Sequence, residues 1–169
     1  VDCVVLVMRS SDDALAAACD EQARAAAGRL AVVRPEVDPP DMKASIAAAL
    51  EWLARHERPL PDDAWLFAPA DLPTLRRESI DGLLAAATAT PGQVWAPEQG
   101  GKRGHPALFP WSLAPEVARL APDEGLNRLL DLHPIRLLAD AMSEPLADLD
   151  TPDDYARLTA RMVERRDAR

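Results

Sequence analysis

The chain has 169 residues, the size of one domain, because hydrophobic cores usually grow to roughly 100 to 200 residues before a chain divides. Hydrophobic residues make up 48% and charged residues 28%, which indicates a globular fold, and the longest apolar runs fall far short of the ~20 residues of a membrane span. A net charge of −9 argues against a nucleic-acid surface, and an anionic substrate would need a cation or backbone amides to meet it.

The first half of the chain alternates strands with helices. The apolar run at residues 3–8 predicts a strand buried on both faces of a parallel sheet. Ser10 and Asp13 resemble a capping box, which would open a helix that ends at Gly28. The next predicted elements are a strand at 30–33, a Pro-rich acidic loop, a helix from Met42 to near Pro59, and a strand at 64–69.

The second half continues this alternation. The predicted elements are a helix with Ile80, Leu83, Leu84 and Ala87 on one face, a strand at 93–97, helices at 112–120 and 123–133, a strand at 135–138, and a last helix capped by Thr151. The segment between 98 and 109 is interpreted as a glycine-rich loop. Because parallel strands need crossover connections, the pattern predicts an α/β fold with a mainly parallel sheet in a single domain.

Asp71 follows directly on the strand predicted at 64–69, before Leu72 and Pro73. Ligands of open α/β sheets bind beyond the carboxyl ends of the strands, so Asp71 is a candidate functional acid. The alternative is a turn aspartate that hydrogen-bonds its own backbone ahead of a proline.

A second acidic cluster follows the last strand-like segment. Asp148 and Asp150 alternate along an extended chain and point to opposite faces, so only one of them can face the same cleft as Asp71. Two carboxylates from different strand ends suit Mg²⁺, which takes a few acidic ligands together with water and phosphates. Asp153 and Asp154 are instead interpreted as acids of a first helical turn, where they favour the helix dipole.

His105 is the histidine with the most suggestive context, because glycines precede it and Pro106 restricts its backbone. His56 and His133 are expected at helix ends, without a site role. Cys3 and Cys19 lack metal-ligand spacing and are interpreted as buried free thiols of a cytoplasmic protein.

Three motifs together resemble the MobA-like nucleotidyltransferases, the molybdenum cofactor cytidylyl- and guanylyltransferase family. They are ADLP after a strand, GKRGHPALF about thirty residues later, and ADLDTPDDYARL near the carboxyl terminus. The segment PPDMKASIAAAL also resembles the family's Gly-Met-Ser-Ser-Ser-Leu segment, with Ser45 at the final serine. Asp41, Lys43 and Ala44 depart from that pattern, as does Ala70 where the family has glycine before the metal acid.

The resemblance implies a three-layer, doubly wound sheet of the nucleotide-diphospho-sugar transferase type. It implies transfer of a nucleoside monophosphate from CTP or GTP to a phosphate-bearing acceptor such as molybdopterin, with release of pyrophosphate and a possible molybdoenzyme partner. Mg²⁺ would be held by Asp71 with Asp148 or Asp150. Substrate contacts would come from Ser45, Leu72, Pro73, Gly104, His105 and Pro106, with residues 104–106 on the acceptor side.

The family begins with a strand and a glycine-rich loop that carries Arg and Lys and cradles the triphosphate. Neither is recognisable in this sequence. We therefore expect roughly 30 to 45 residues upstream of Val1, enough for a strand, the loop and a crossover helix. Without that strand, the strands at 3–8 and 64–69 would both have unpaired edges.

Two other functions fit parts of the pattern. A nucleotide-sugar-dependent glycosyltransferase of similar fold would usually carry an Asp-x-Asp pair at the strand end, which PADLP lacks. A non-catalytic module that binds a nucleotide or a cofactor is the third hypothesis, and the presence or absence of the upstream phosphate loop would discriminate it from the enzyme.

Overall fold

The computed structural model describes residues 1–9, 13–72, 75–99, 101–139 and 151–167. Its elements, in chain order, are β1 Val4–Val7, α1 Asp13–Ala25, β2 Leu30–Val33, α2 Met42–His56, β3 Ala64–Phe67, α3 Arg77–Ala89, β4 Val94–Gln99, β5 Lys102–Arg103, β6 Ala107–Pro110, α4 Ala114–Val117, α5 Asn127–Leu132, β7 Ile135–Ala139 and α6 Pro152–Asp167. The described residues group into two compact units, 1–63 with 111–133, and 64–110 with the residues from Pro134 onward.

The first unit is built on a two-stranded parallel sheet. β1 and β2 pair in register from Val4 opposite Leu30 to Val7 opposite Val33, with α1 as the crossover. Helix α1 packs on β2 and α2 packs on β1. The side chains of Ile46 and Leu50, one turn apart on α2, are buried because they share the face that meets the sheet.

The local sequence explains where α2 begins. Asp41 is its N-cap, and the carboxylate accepts a hydrogen bond of 2.7 Å from the amide of Ala44.

The cysteines also lie in this unit: Cys19 is buried as expected, whereas Cys3 is only half-buried, and both thiols are free. Partial burial, together with the nearby Glu57 carboxylate, raises the pKa of the Cys3 thiol.

The second unit contains a five-stranded sheet in the order β3-β6-β4-β5, with β7 also on β4. Strands β4 and β7 are parallel, whereas β6 is antiparallel to both β3 and β4. Consequently β3, β4 and β7 all run in the same direction. Helix α3 packs against β4 and β7. Gly82 of α3 lies so close to Leu138 of β7 that a Cβ atom added to it would be 3.1 Å from the Leu138 Cδ2 atom.

The predicted α/β fold is confirmed, and β1 to β4 and β7 fall within two residues of their predicted positions. The interpretation of 98–109 as a loop is wrong, because that segment supplies β5 and β6. All four residues of β6 are buried. The predicted helices at 112–120 and 123–133 are shorter than expected, at four and six residues. The predicted upstream strand stays a prediction.

Helix α6 begins as the sequence predicts, with Pro152 at its first position. The backbone amide and hydroxyl of Thr151 both donate to the Asp154 carboxylate, at 2.9 and 2.6 Å, and the amide of Asp154 donates to the Thr151 hydroxyl at 3.2 Å. This reciprocal arrangement is a capping box. The bonds from Thr151, followed by the Arg157 guanidinium, lower the pKa of Asp154.

The lowered pKa of Asp154 makes the start of α6 sensitive to pH. Because the pKa is lower in the folded state, the stabilisation of the α6 start is present above the ordinary carboxyl value and is lost as the pH falls through the folded value. We expect Asp154→Ala to accelerate amide exchange in the first turn of α6 at neutral pH. Asp153→Ala, which removes an equal charge from the same turn, is the control. Equal acceleration in both variants would contradict the capping role.

Candidate active site at the carboxyl ends of the strands

Asp71 lies just beyond the carboxyl end of β3. It is exposed, and among the described residues no hydrogen bond or ion pair engages its carboxylate. Leu72 is only 6% exposed, so its side chain anchors the turn and leaves Asp71 on the surface. A substrate could therefore meet Leu72 only through its backbone. The strand-end position of Asp71 is as the sequence predicted, and its role stays a prediction.

Residues 104–106 form an irregularity in the strand that returns alongside β4. Glu98 of β4 pairs with Arg103, and Trp95 pairs with Leu108. Two residues of β4 lie between these pairs, but four lie on the returning strand, so the latter carries two extra residues. Such bulges bend a strand and redirect a side chain, and they are common beside active sites.

The bulge places His105 next to the end of β3. Phe67, the last residue of β3, pairs with Ala107, so the antiparallel register carries His105 alongside the residues that follow Phe67. The rings of His105 and Phe67 meet edge to face, with centroids 5.8 Å apart. Gly104 donates from its amide to the carbonyl of Pro97 at 2.8 Å, and Pro106 is fully buried. The backbone on both sides of His105 is thus held in place.

Asp71 and His105 therefore lie at the same edge of one sheet, within one compact unit. Ser45 belongs to the other unit, in the first turn of α2, where its hydroxyl donates to the carbonyl of Asp41 at 3.3 Å. Pro73, Asp148 and Asp150 lie outside the described residues, so the predicted convergence of Asp71 with a carboxyl-terminal acid stays a prediction. The contacts of Ser45 are those of a helix start.

The two remaining histidines have the helix-end positions expected of them. The Nδ1 atom of His56 lies 2.8 Å from the carbonyl oxygen of Trp52, on which the ring stacks. The Nε2 atom of His133, at the end of α5, lies 2.8 Å from the Oε2 atom of Glu116. Both rings are engaged in local structure.

One feature of this edge was missed in the sequence: the turn that joins β4 to β5. The Oε1 atom of Glu98 accepts from the amide of Gly101 at 3.1 Å, which closes the turn, and Gly101 adopts a φ of 79° that favours glycine. Lys102 and Arg103 follow on an exposed two-residue strand. The available signal was the pair of glycines between the polar pairs EQ and KR, which is typical of a hairpin turn.

A single exposed carboxylate at a strand end is compatible with Mg²⁺, because this ion commonly takes one or two carboxylates and completes its shell with water and substrate phosphates. Within the described ranges, no group of three or more His, Cys, Asp or Glu side chains is arranged to hold a metal ion. Asp71 thus fits a metal site in which water and substrate phosphates complete the coordination shell.

The fold and this edge define an α/β domain of the nucleotide-binding type, with its candidate residues beyond the carboxyl ends of the strands. The chain belongs to the MobA-like NTP transferase domain family, whose model matches residues 1–140. It is thereby a member of the nucleotidyltransferase superfamily, as the sequence motifs indicated. No curated protein matches the chain.

Several solved structures share the fold of this chain. Rv0371c from Mycobacterium tuberculosis H37Rv, solved as a complex with manganese, is 26% identical with a TM-score of 0.64 over 93% of this chain and 77% of that one. Molybdopterin-guanine dinucleotide biosynthesis protein A from Archaeoglobus fulgidus is 17% identical, with a TM-score of 0.60 over 94% and 78%. A 4-diphosphocytidyl-2C-methyl-D-erythritol synthase is 15% identical, with a TM-score of 0.66 over 94% and 81%. The last two likenesses concern the fold alone.

The described part of the chain contains no helix with the length and apolar character needed to cross a membrane.

Proposed function

We propose that this chain transfers a nucleoside monophosphate from CTP or GTP to a phosphate-bearing acceptor of the molybdopterin type, with Mg²⁺ and with release of pyrophosphate. The observation that carries the proposal is the position of Asp71, an exposed carboxylate just beyond β3, at the sheet edge that also carries the bulged His105. Membership of the MobA-like NTP transferase domain family supports nucleotidyl transfer as the reaction type.

Nucleotidyl transfer needs positioning and charge neutralisation more than a protein nucleophile. A bound Mg²⁺ would supply charge neutralisation at the phosphates, with Asp71 as one ligand and Asp148 or Asp150 as the expected second. Leu72 anchors the turn of Asp71 in the core. This anchor holds the exposed carboxylate at the strand end before substrate and metal bind. Little conformational entropy of the turn would therefore be lost on binding.

His105 is proposed to border the acceptor. Its ring packs on Phe67, and the bulge and Pro106 fix its backbone, so it is ready to hydrogen-bond an acceptor phosphate or hydroxyl. Gly104 and Pro106 would shape the same edge through their backbones, and Ser45, Leu72 and Pro73 stay proposed substrate contacts on the strength of the sequence motifs. A molybdoenzyme that receives the product is the expected partner.

Product analysis tests this function. We expect the chain, incubated with Mg²⁺, molybdopterin and either CTP or GTP, to convert molybdopterin to a dinucleotide. Mass spectrometry should show an increase equal to the nucleoside monophosphate less one water. One of the two nucleotides should be strongly preferred. An unchanged acceptor with both nucleotides, under conditions where each is shown to bind, would favour the non-catalytic binding module instead.

His105→Ala should reduce the use of acceptor more than the binding of nucleotide. Removing one hydrogen bond to a charged group is expected to raise the acceptor KM roughly 10- to 100-fold, since such bonds contribute about 1.5 to 3 kcal/mol. His133→Ala is the matched control, because that ring bonds Glu116 and has no proposed site role. Steady-state kinetics with each substrate varied, and direct nucleotide titration, provide the comparison. An equal loss with both substrates would indicate that His105 is structural.

A further inference from the structure

Lys43, in the first turn of α2, is bound to a part of the chain that lies 78 residues further on. Its ammonium donates to the backbone carbonyl of Ala121, in the turn between α4 and α5. Both segments belong to the first compact unit, in which α2 also packs against α4. The bond therefore ties the start of one helix to a turn beside its neighbour. The function proposed above gives Lys43 no role.

Local helix chemistry does not account for a lysine at this position. The first turn of a helix carries a partial positive charge, which disfavours a cation there. The start of α2 is already capped, because the carboxylate of Asp41 accepts from the amide of Ala44. A lysine also loses side-chain conformational entropy when its ammonium is held in one place. The bond to Ala121 is thus the feature that distinguishes Lys43 from other residues suited to a first turn.

The turn that accepts this bond has a fixed backbone. The Glu124 carboxylate accepts from the amide of Ala121 at 2.8 Å, and the amide of Glu124 donates to the carbonyl of Ala121 at 3.0 Å. Arg128 of α5 pairs with the Glu124 carboxylate at 3.1 Å. Lys43 is therefore attached to a turn that is closed by its own hydrogen bonds.

The start of α2 is where the proposed function needs a fixed backbone. Residues 34–41 lead from the carboxyl end of β2 to α2, so the first turn lies at the edge of the sheet where ligands bind in open α/β folds. Ser45, a proposed substrate contact, is two residues after Lys43. Since residues 104–106 are proposed for the acceptor, the nucleoside triphosphate is the substrate left for Ser45.

We propose that Lys43 is a positioning residue for nucleotide binding, which holds Ser45 in place through its bond to Ala121. This inference rests on the proposed function, in which Ser45 contacts a substrate. Because the bond fixes the first turn before the nucleotide arrives, less conformational entropy is lost when the nucleotide binds. The ammonium of Lys43 is engaged by Ala121, so its effect on the nucleotide is transmitted by the helix start.

Titration calorimetry of the whole chain with Mg²⁺–CTP and Mg²⁺–GTP tests the positioning role. Lys43→Met keeps an unbranched apolar stem and removes the ammonium, and it should weaken binding of the preferred nucleotide roughly fivefold. Lys43→Arg, which can still donate to the Ala121 carbonyl, should restore most of the affinity. Arg55→Met removes the same charge from the last turn of α2, where Arg55 pairs with Glu51, and should leave the affinity unchanged.

A double-mutant cycle with Ser45→Ala shows whether Lys43 acts through Ser45. If it does, Lys43→Met should cause little further loss of affinity in the Ser45→Ala chain, because the contact that it positions has already been removed. Amide exchange provides a second readout. The amides of Ala44 and Ser45, which bond Asp41, should exchange faster in Lys43→Met and at an unchanged rate in Arg55→Met.

The outcomes separate this inference from the function on which it rests. Unchanged nucleotide affinity in Lys43→Met would overturn the inference, as would an equal loss in Arg55→Met. Losses that add in the double variant would show that Lys43 acts independently of Ser45 and would overturn it too. Unchanged affinity in Ser45→Ala would exclude Ser45 as the intermediary and overturn it while nucleotide binding itself stands. Failure of the unsubstituted chain to bind either nucleotide would instead contradict the proposed function.

Discussion

Asp71→Asn is expected to reduce nucleotidyl transfer roughly 100-fold or more, the scale of losing one electrostatic stabiliser of the transition state. The substitution keeps the size of the side chain and removes the negative charge that would hold Mg²⁺. Because Asp71 is exposed and no described residue bonds its carboxylate, the free energy of unfolding should change by no more than about 0.5 kcal/mol. Turnover measured against Mg²⁺ concentration tests the loss of activity, and a denaturation curve tests the unchanged free energy of unfolding.

Asp62→Asn is the matched control, since Asp62 is an exposed acid before the amino end of β3, at the opposite end of the same strand. It should leave turnover and its Mg²⁺ dependence unchanged. If Asp71→Asn kept full activity, the assignment of Asp71 as a metal ligand would be wrong. Loss of activity accompanied by unfolding would show that Asp71 supports the structure rather than the chemistry.

Phe109→Ala is expected to have the largest effect on stability. Phe109 lies in β6, is 0% exposed, and stacks on Trp65 of β3 with ring centroids 4.4 Å apart. Truncation removes this contact and leaves a cavity between the two strands, which costs about 3 to 5 kcal/mol in well-packed cores. Urea denaturation should show a lower midpoint with an unchanged slope.

Leu137→Ala in β7 provides the comparison within the same sheet. Leu137 is 48% exposed, so its truncation should cost no more than about 1 kcal/mol, well below the cost at Phe109. Similar midpoints for the two variants would mean that β6 is not central to the core. That result would also remove the support that β6 gives to the bulge at His105.

The strands were predictable where the sequence pattern was strong. The apolar runs at 3–8 and 64–69 correspond to β1 and β3, which are slightly shorter, because only part of each run finds a partner strand. β6 was not predictable from its four apolar residues alone. Short apolar runs carry no clear period, and pairing with β3 and β4 decides the conformation of this one.

Less of the candidate site could be predicted, because it depends on register. The strand-end rule located Asp71 from the sequence, since the strand before it has a clear pattern. The bulge at His105 exists only because the returning strand has two more residues than the stretch of β4 that it accompanies. That mismatch is a property of the paired strands and leaves no local signal in either one.

Pyrophosphate release is the measurement that tests nucleotidyl transfer most directly. With Mg²⁺, molybdopterin and CTP or GTP all present, we predict that the chain releases pyrophosphate equimolar with the acceptor consumed, and that omitting the metal, the acceptor or the nucleotide stops the release. Tight nucleotide binding without release of pyrophosphate under the complete conditions would contradict nucleotidyl transfer. Release of a nucleoside diphosphate when a nucleotide sugar is supplied instead of CTP or GTP would contradict it as well.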